Sequence, residues 1–383
     1  MTGLPKHRDP RMVAEGRRPL HALGVPADAL VLDGDWQFRH WTGTAPDDGW
    51  EQPGHDRAGF DRLALPASWS VHGFGIPIYT NVRYPFDASA FPEVVMPDEG
   101  GDHVRIVDVP ARWAGDRIVL RIGAAESAVE VHVDGRYVGF STDSRLPAEF
   151  DVTDLVRPGH SAMIALRVHR WGAASWIEDQ DMWWMAGIHR SVALYRRPAV
   201  HLADVAVTTL SIDDRGNARI RVRVAADVGR TGGETDQRTD ERTGDGPVHA
   251  TVDIEGYTVS VDLDTPVVAG HPGTVHGSAD VEVPGARTWT AETPELTEVT
   301  VRLIEGSPRV GETPDADVVD EVTVTTGIRT VSVAGGQLLV NGVPVTIRGV
   351  NRHDHYPDGA RVVDEALLAE DIRLLKAHNF NAI

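Results

Sequence analysis

The strongest constraint on the fold is an alternation of apolar residues with a period of two, repeated along the first half of the chain. Ile118, Leu120 and Ile122 fall on one face of an extended segment. Val129, Val131 and Val133 repeat the pattern, and Asp134-Gly135 then turns the chain into Tyr137. Ile164, Leu166 and Val168 make a third run. Side chains of a strand alternate between faces, and Asp-Gly is a two-residue hairpin signal, so these runs read as half-buried antiparallel strands. Upstream, Leu32, Trp36 and Phe38 have strand-like spacing around Asp33-Gly34. No helical period precedes residue 360. Repeated short strands with turn signals predict a sandwich of the jelly-roll or Ig-like kind.

After Arg196-Arg197-Pro198 the aromatic density falls and a second set of strands is predicted. It comprises residues 201–210, 218–225, 248–263, 274–283 and 298–303, and reads as a smaller β-sandwich without the makings of a chemical site. Residues 229–247, rich in Gly, Thr and Asp, have little to bury and read as a mobile hairpin insertion. The last segment changes character. Leu338–Val340, a turn at Asn341-Gly342 and an apolar strand over 345–350 lead into a helix. In that helix Leu368, Ile372 and Leu375 share a face, and Asp364 is its expected N-cap. Phe380 to Ile383 looks like a further strand. Strand, loop, helix, strand is one βαβ unit, which does not stand alone, so the chain is expected to be the front part of a longer polypeptide.

Composition narrows the partners. The formal net charge is −20, which disfavours nucleic acid and anionic membranes. Cysteine is absent, so disulfides, thiolate nucleophiles and cysteine metal sites are excluded. The N-terminus lacks the apolar core of a signal peptide, and no apolar run reaches membrane-spanning length; a cytoplasmic location is the expectation.

Two clusters carry chemistry. Ser175 to Arg190 packs Glu178, Asp179 and Asp181 against Trp176, Trp183 and Trp184. A carboxylate accepts sugar hydroxyls and an indole covers the apolar face of a pyranose, so the stretch suits a neutral, hydroxyl-rich ligand. The loop 63–86 adds Trp69, His72, Phe74, Tyr79, Asn81 and Tyr84 as candidate lining. The second cluster is Asn351-Arg352-His353-Asp354-His355, directly after an expected barrel strand. Side chains there face the active site of a β/α barrel, so His353 or His355 could touch substrate or metal. Glycoside hydrolysis needs two carboxyl groups about the anomeric carbon. Glu178, Asp179 and Asp181 suit hydroxyl recognition better than that pair.

Several long colinear stretches resemble the N-terminal portion of the large bacterial β-galactosidases of glycoside hydrolase family 2. They are LDGDWQF, LPASWSVHGFGIPIYTNVRYPF, STDSRLPAEFDVTDLV, WIEDQDMWWMAGIHRSVALYRRP, WTAETPEL and the run from LLVNGVPVTIRGVNRHDHY to the end. The resemblance implies a jelly-roll sugar-binding domain (1–198), an Ig-like domain (199–330) and the first βα unit of a truncated TIM barrel (331–383). It implies substrate contacts by Asn81 in YTNVxYP, Asp181 in EDQDMW and His353 in NRH. It also implies an active-site sodium on Asp181 and, in full-length members, magnesium and a homo-oligomer, with no organic cofactor. No residue of this sequence matches the family's acid/base and nucleophilic glutamates or magnesium ligands, so the 383 residues alone are expected to be inactive. Two departures are Asp354 in place of a usual glutamate and Trp184 in place of a usual basic residue.

The reading that follows is a retaining β-galactosidase cleaving terminal galactosyl groups such as that of lactose. The alternatives are a family-2 β-glucuronidase or β-mannosidase, and a free-standing carbohydrate-binding module. A glucuronidase would want a cationic clamp where Asp181 supplies negative charge. A binding module leaves the βαβ segment unexplained.

Overall fold

The computed structural model describes residues 4–89, 96–178, 180–228, 248–263, 265–266, 273–306 and 318–383. The expected hairpin insertion at 229–247 lies outside the described residues, as does Asp179. The chain forms two compact units. The first comprises Met1–Leu20, Val25–Arg196 and Asn351–His378; the second comprises His21–Gly24, Arg197–Val350 and Asn379–Ile383.

The first unit is the jelly-roll sandwich. One sheet has seven strands in the order Ala14–Glu15, Arg136–Ser141, Ala128–Val133, Ser161–His169, Glu99–Asp108, Gly34–Thr42 and Asp61–Leu65. Facing it are Ala148–Asp151, Arg117–Glu126, Gly187–Arg197 and Leu30–Val31, with Ala67–Ser68 also on Gly187–Arg197. The alternating residues read from the sequence fill the space between them. Ile118, Leu120, Val131, Val133, Ile164, Leu166 and Val168 are fully buried, together with Trp36, Phe38, Trp69, Trp113 and Phe150. The hairpin at Asp134-Gly135 has positive φ at both residues, 46° and 78°, as a type I′ turn requires.

Glu99–Asp108 is a central strand that the alternation rule missed. Its sequence, EGGDHVRIVD, looks polar, yet eight of its ten positions are buried or half-buried without alternating. The glycines explain the packing: a Cβ on Gly101 would come within 2.5 Å of Phe38, and one on Gly100 within 2.3 Å of Trp41. Buried Asp102 is held there by Arg39 at 2.8 Å and Arg167 at 2.7 Å.

The second unit holds the Ig-like sandwich. One sheet runs His201–Ile212, Ala218–Asp227, Thr274–Val283 and Thr265–Pro266; the other runs Tyr257–Asp262, Val248–Ile254, Thr297–Glu305 and Val318–Thr326. Ile220, Val222, Val252, Ile254, Val299 and Val301 form its core. The stretch read as one strand over 248–263 is two, turned at Glu255-Gly256 with positive φ at both. A small sheet of Val331–Ala334, Gln337–Val340 and Val343–Pro344 follows, turned at Asn341-Gly342.

The helix is Glu365–Ala377, and Asp364 caps it by accepting from the Leu367 amide at 2.8 Å. The strands expected over 345–350 and 380–383 reduce to one parallel bridge, Gly349 with Ala382. There the Arg348 N–H donates to Asn381 Oδ1 at 2.7 Å, the Asn381 N–H to the Arg348 carbonyl at 2.9 Å, and Arg348 Nε to the Asn379 carbonyl at 3.2 Å. Ile347 is 62% exposed, so burial does not fix a strand register at this point. Among the described residues no helix is long and apolar enough to cross a membrane.

Candidate functional site

A short ribbon in the first unit organises the candidate site. Ile78–Tyr79 pairs antiparallel with Trp183–Trp184, in register Tyr79 to Trp183 and Ile78 to Trp184. Just beyond the ribbon, Gly187 turns the chain into the long strand Gly187–Arg197, which pairs there with Ala67–Ser68. Gly187 has φ 134°, and a Cβ on it would lie 2.2 Å from the Ala67 carbonyl oxygen. Only glycine allows this approach.

The ribbon splits the tryptophan-rich stretch into two roles. Trp184 is 8% exposed and packs with Met96 and Trp171; half-buried Trp176 and Phe86 complete the cluster. Its indole N–H donates to Thr80 Oγ1 at 2.9 Å. Trp183 is the outward-facing tryptophan, 40% exposed, with its ring 5.7 Å from that of Tyr79. The expected wall of three indoles is therefore one indole backed by a core of two. An aromatic-rich sequence does not say which rings face solvent; the two-residue strand does, by alternation.

The carboxylates divide similarly. The Tyr79 hydroxyl donates to the Asp181 carboxylate, and this bond pushes the Tyr79 pKa up. Asp181 is exposed. Glu178 instead accepts from Ser144 Oγ at 2.7 Å, and burial pushes its carboxyl pKa up. It lines a recess of about 340 Å³ with Asp9, Arg17 and Thr142, so it is not part of the Asp181 wall.

Residues 351–378 belong to the same compact unit, which brings the second cluster to the ribbon. The His355 ring stacks over Trp183, centroids 6.2 Å apart and planes 11° apart. Burial and the nearby Arg361 cation lower the His355 pKa. Asp354 pairs with Arg352 and lies 3.5 Å from Arg190. The three residues expected from the sequence thus lie on three segments joined by ring contacts. Asn81 is two residues after Tyr79, Asp181 two before Trp183, and His353 two before His355. All three are exposed. From the aromatic loop, Trp69 is fully buried, whereas Tyr79 is 49% exposed.

Arg361 fastens this arrangement from beneath, and nothing local in the sequence marks it. Its side chain is 6% exposed and its Nε lies 2.6 Å from Glu126 Oε2, also buried. The approach is ionic, without an aligned hydrogen bond at that nitrogen. Its Nη2 donates to the Trp183 carbonyl at 2.9 Å. Arg145 adds a second cation 3.3 Å from Glu126. Burial lowers the Arg361 pKa, yet a guanidinium at neutral pH stays charged. Lone arginines in loops are common, and nothing in the spacing of DGARVV points inward.

Three family models match successive stretches of the chain. They are glycosyl hydrolases family 2, sugar binding domain, over residues 30–198; glycosyl hydrolases family 2 over 200–329; and glycosyl hydrolases family 2, TIM barrel domain, over 331–383. A β-galactosidase of Alteromonas mediterranea is 33% identical over 392 residues, covering 96% of this chain and 35% of that protein. A β-galactosidase of Arthrobacter sp. is 34% identical over 381 residues, covering 94% of this chain and 33% of that protein. The chain thus spans about a third of the length of these curated relatives. Among solved structures, a Bifidobacterium dentium β-glucuronidase superposes with a TM-score of 0.69 at 22% identity, covering 94% of this chain and 58% of that one. A Bacteroides uniformis β-glucuronidase gives 0.70 at 18% identity, covering 92% of this chain and 38% of that one. At such identities the superpositions speak for the fold alone. With a sugar-binding sandwich, an Ig-like sandwich and the start of a TIM barrel in that order, the chain belongs to glycosyl hydrolases family 2.

Proposed function

We propose that this chain is the glycone-binding portion of a retaining β-galactosidase. The observation that carries the reading is the exposed Asp181 carboxylate beside the exposed Trp183 indole, with Arg361 and Arg190 both engaged elsewhere. Arg361 is committed to Glu126 and the Trp183 carbonyl. Arg190 donates to the Arg145 carbonyl at 2.7 Å and faces Asp354. A carboxylate at this position accepts hydroxyls of a neutral sugar and repels a uronate. The β-galactosidase names of the sequence relatives support the same choice.

In this reading Asp181 accepts a galactose hydroxyl, Asn81 offers an amide to another, and His353 contacts the sugar near the reacting carbon. Trp183 and Tyr79 give the apolar face something flat to lie against. Asp181 and the Tyr79 phenol put two oxygens side by side, which fits part of the oxygen shell a hard cation such as sodium takes. The ion would add positive charge for sugar oxygens to meet. No residue of the sequence matches the magnesium ligands or the two hydrolytic glutamates of the family, so we propose that these 383 residues bind and orient but do not hydrolyse. A cytoplasmic location and self-association remain part of the proposal.

The test is a substrate panel on the protein encoded by the complete gene. Turnover of 4-nitrophenyl β-D-galactoside well above that of the matching glucuronide and mannoside is expected. Preferred turnover of the glucuronide would transfer the chain to the alternative activity.

A further inference from the structure

We propose that His7, Glu130 and His169 form a binding site for a divalent transition cation of the zinc class. Their ligand atoms all lie within 4.8 Å of one another, and among the described residues no other three histidine, aspartate or glutamate side chains are so placed. The three come from distant parts of the first unit. His7 sits in the short 3₁₀ turn Lys6–Arg8 of the N-terminal arm. Glu130 and His169 come from neighbouring strands, Ala128–Val133 and Ser161–His169.

The donor atoms are close, and one ring must turn for both imidazoles to ligate. The two imidazoles stack with centroids 3.9 Å apart and planes 10° apart, so their in-plane lone pairs run side by side until His7 swings out of the stack. His169 Nε2 lies 3.1 Å from Glu130 Oε1. His7 is 8% exposed and His169 4%. Near neutral pH an unprotonated imidazole offers a ring lone pair to a metal. Two imidazoles and a carboxylate are a borderline-soft set that suits zinc and its neighbours better than magnesium or calcium. Metal–ligand bonds of about 2.0–2.2 Å would set the donors roughly 3.5 Å apart around a tetrahedral centre, so closing the site needs the donors to draw in by about 1 Å and the His7 ring to rotate out of the stack.

The surrounding charges do not oppose this. Asp98 Oδ1 is 3.7 Å from His7 Nε2 and is a candidate fourth donor. Arg8, the residue after His7, is bound to Asp98 at 2.6 Å and to the Met96 carbonyl at 2.7 Å. Arg167 is held by Asp102 at 2.7 Å. A cation here would tie the arm at position 7 to strands more than a hundred residues away, so binding energy would become folding energy.

The test uses the full chain, stripped of metal by a chelator and titrated with Co²⁺ as a spectroscopic probe. One equivalent with visible absorption bands, a rise in Tm and displacement by Zn²⁺ are expected. His7→Gln and Glu130→Gln should each weaken binding roughly ten- to a hundredfold or abolish it, the scale on which lost support around a metal is felt. His7 belongs to the N-terminal arm and to no sheet, so His7→Gln remains informative if Glu130→Gln fails to fold; circular dichroism of the variant checks this. Absence of the bands, or bands and affinity unchanged in His7→Gln, overturns the proposal.

Discussion

The ring of His355 lies over that of Trp183, planes 11° apart, which ties the segment after the second sandwich to the aromatic ribbon of the first. This contact, the pairing of Tyr79 with Trp183 and the Arg361 hydrogen bond to the Trp183 carbonyl make Trp183 the meeting point of three chain segments. The proposed sugar contacts flank that point.

Removing the Asp181 charge should weaken transition-state binding of a galactoside by the full-length enzyme. A hydrogen bond to a charged group is worth about 1.5–3 kcal/mol, so Asp181→Asn is expected to lower kcat/KM roughly ten- to a hundredfold. Trp183→Ala should act mainly on KM, because an indole face binds ground and transition states alike. Steady-state kinetics on a nitrophenyl galactoside check both. An Asp181→Asn enzyme with unaltered kcat/KM would remove Asp181 from the site.

Arg361→Met leaves buried Glu126 with one cation and the Trp183 carbonyl without its donor. Breaking a buried pair this way costs about 3 kcal/mol. Nine of the ten tryptophans lie in the first unit, so urea denaturation followed by tryptophan fluorescence reads its stability. The double variant Glu126→Gln/Arg361→Met should recover part of the loss. A shift under about 0.5 kcal/mol for the single variant would mean the pair is not structural.

Acid should destabilise the first unit partly through His103. It is fully buried between Phe38 and Trp69, neither ring nitrogen has an aligned partner among the described residues, and burial lowers its pKa to about 4. The unfolded chain takes up this proton near pH 6.5 and the folded one only near 4. Stability from His103 is therefore complete above about 6.5 and is lost as pH falls toward 4, by about 1–3 kcal/mol. His103→Phe should flatten the dependence of the urea midpoint on pH in that window and cost little at pH 7. An unchanged slope would contradict the assignment.

Much of this was legible in the sequence. Alternation at Ile118, Val129 and Ile164 predicted strands that are present, and EDQDMW and NRH marked segments that do meet. Asp364 read correctly as a helix cap. What was not legible depends on partners distant in sequence. Glu99–Asp108 is buried because Phe38 and Trp41 cover its glycines and two arginines neutralise Asp102, none of which is local. Arg361 and Glu126 find each other across 235 residues, and a charged residue in a loop carries no mark of burial. Trp176, Trp183 and Trp184 look alike in the sequence; a two-residue strand decides which faces out. The apolar run at 345–350 has the composition of a strand, but pairing is fixed by neighbours, and here it has a single bridge to Ala382.

The central claim, that Asn81, Asp181 and His353 flank one galactose site around Trp183, is tested most directly by a crystal structure of the full-length protein with a galactose-configured inhibitor. The account predicts sugar hydroxyls within about 3.2 Å of the Asp181 carboxylate and the Asn81 amide, with the ring lying beside Trp183. A sugar bound elsewhere, with Asp181 still engaged only by Tyr79, would contradict it.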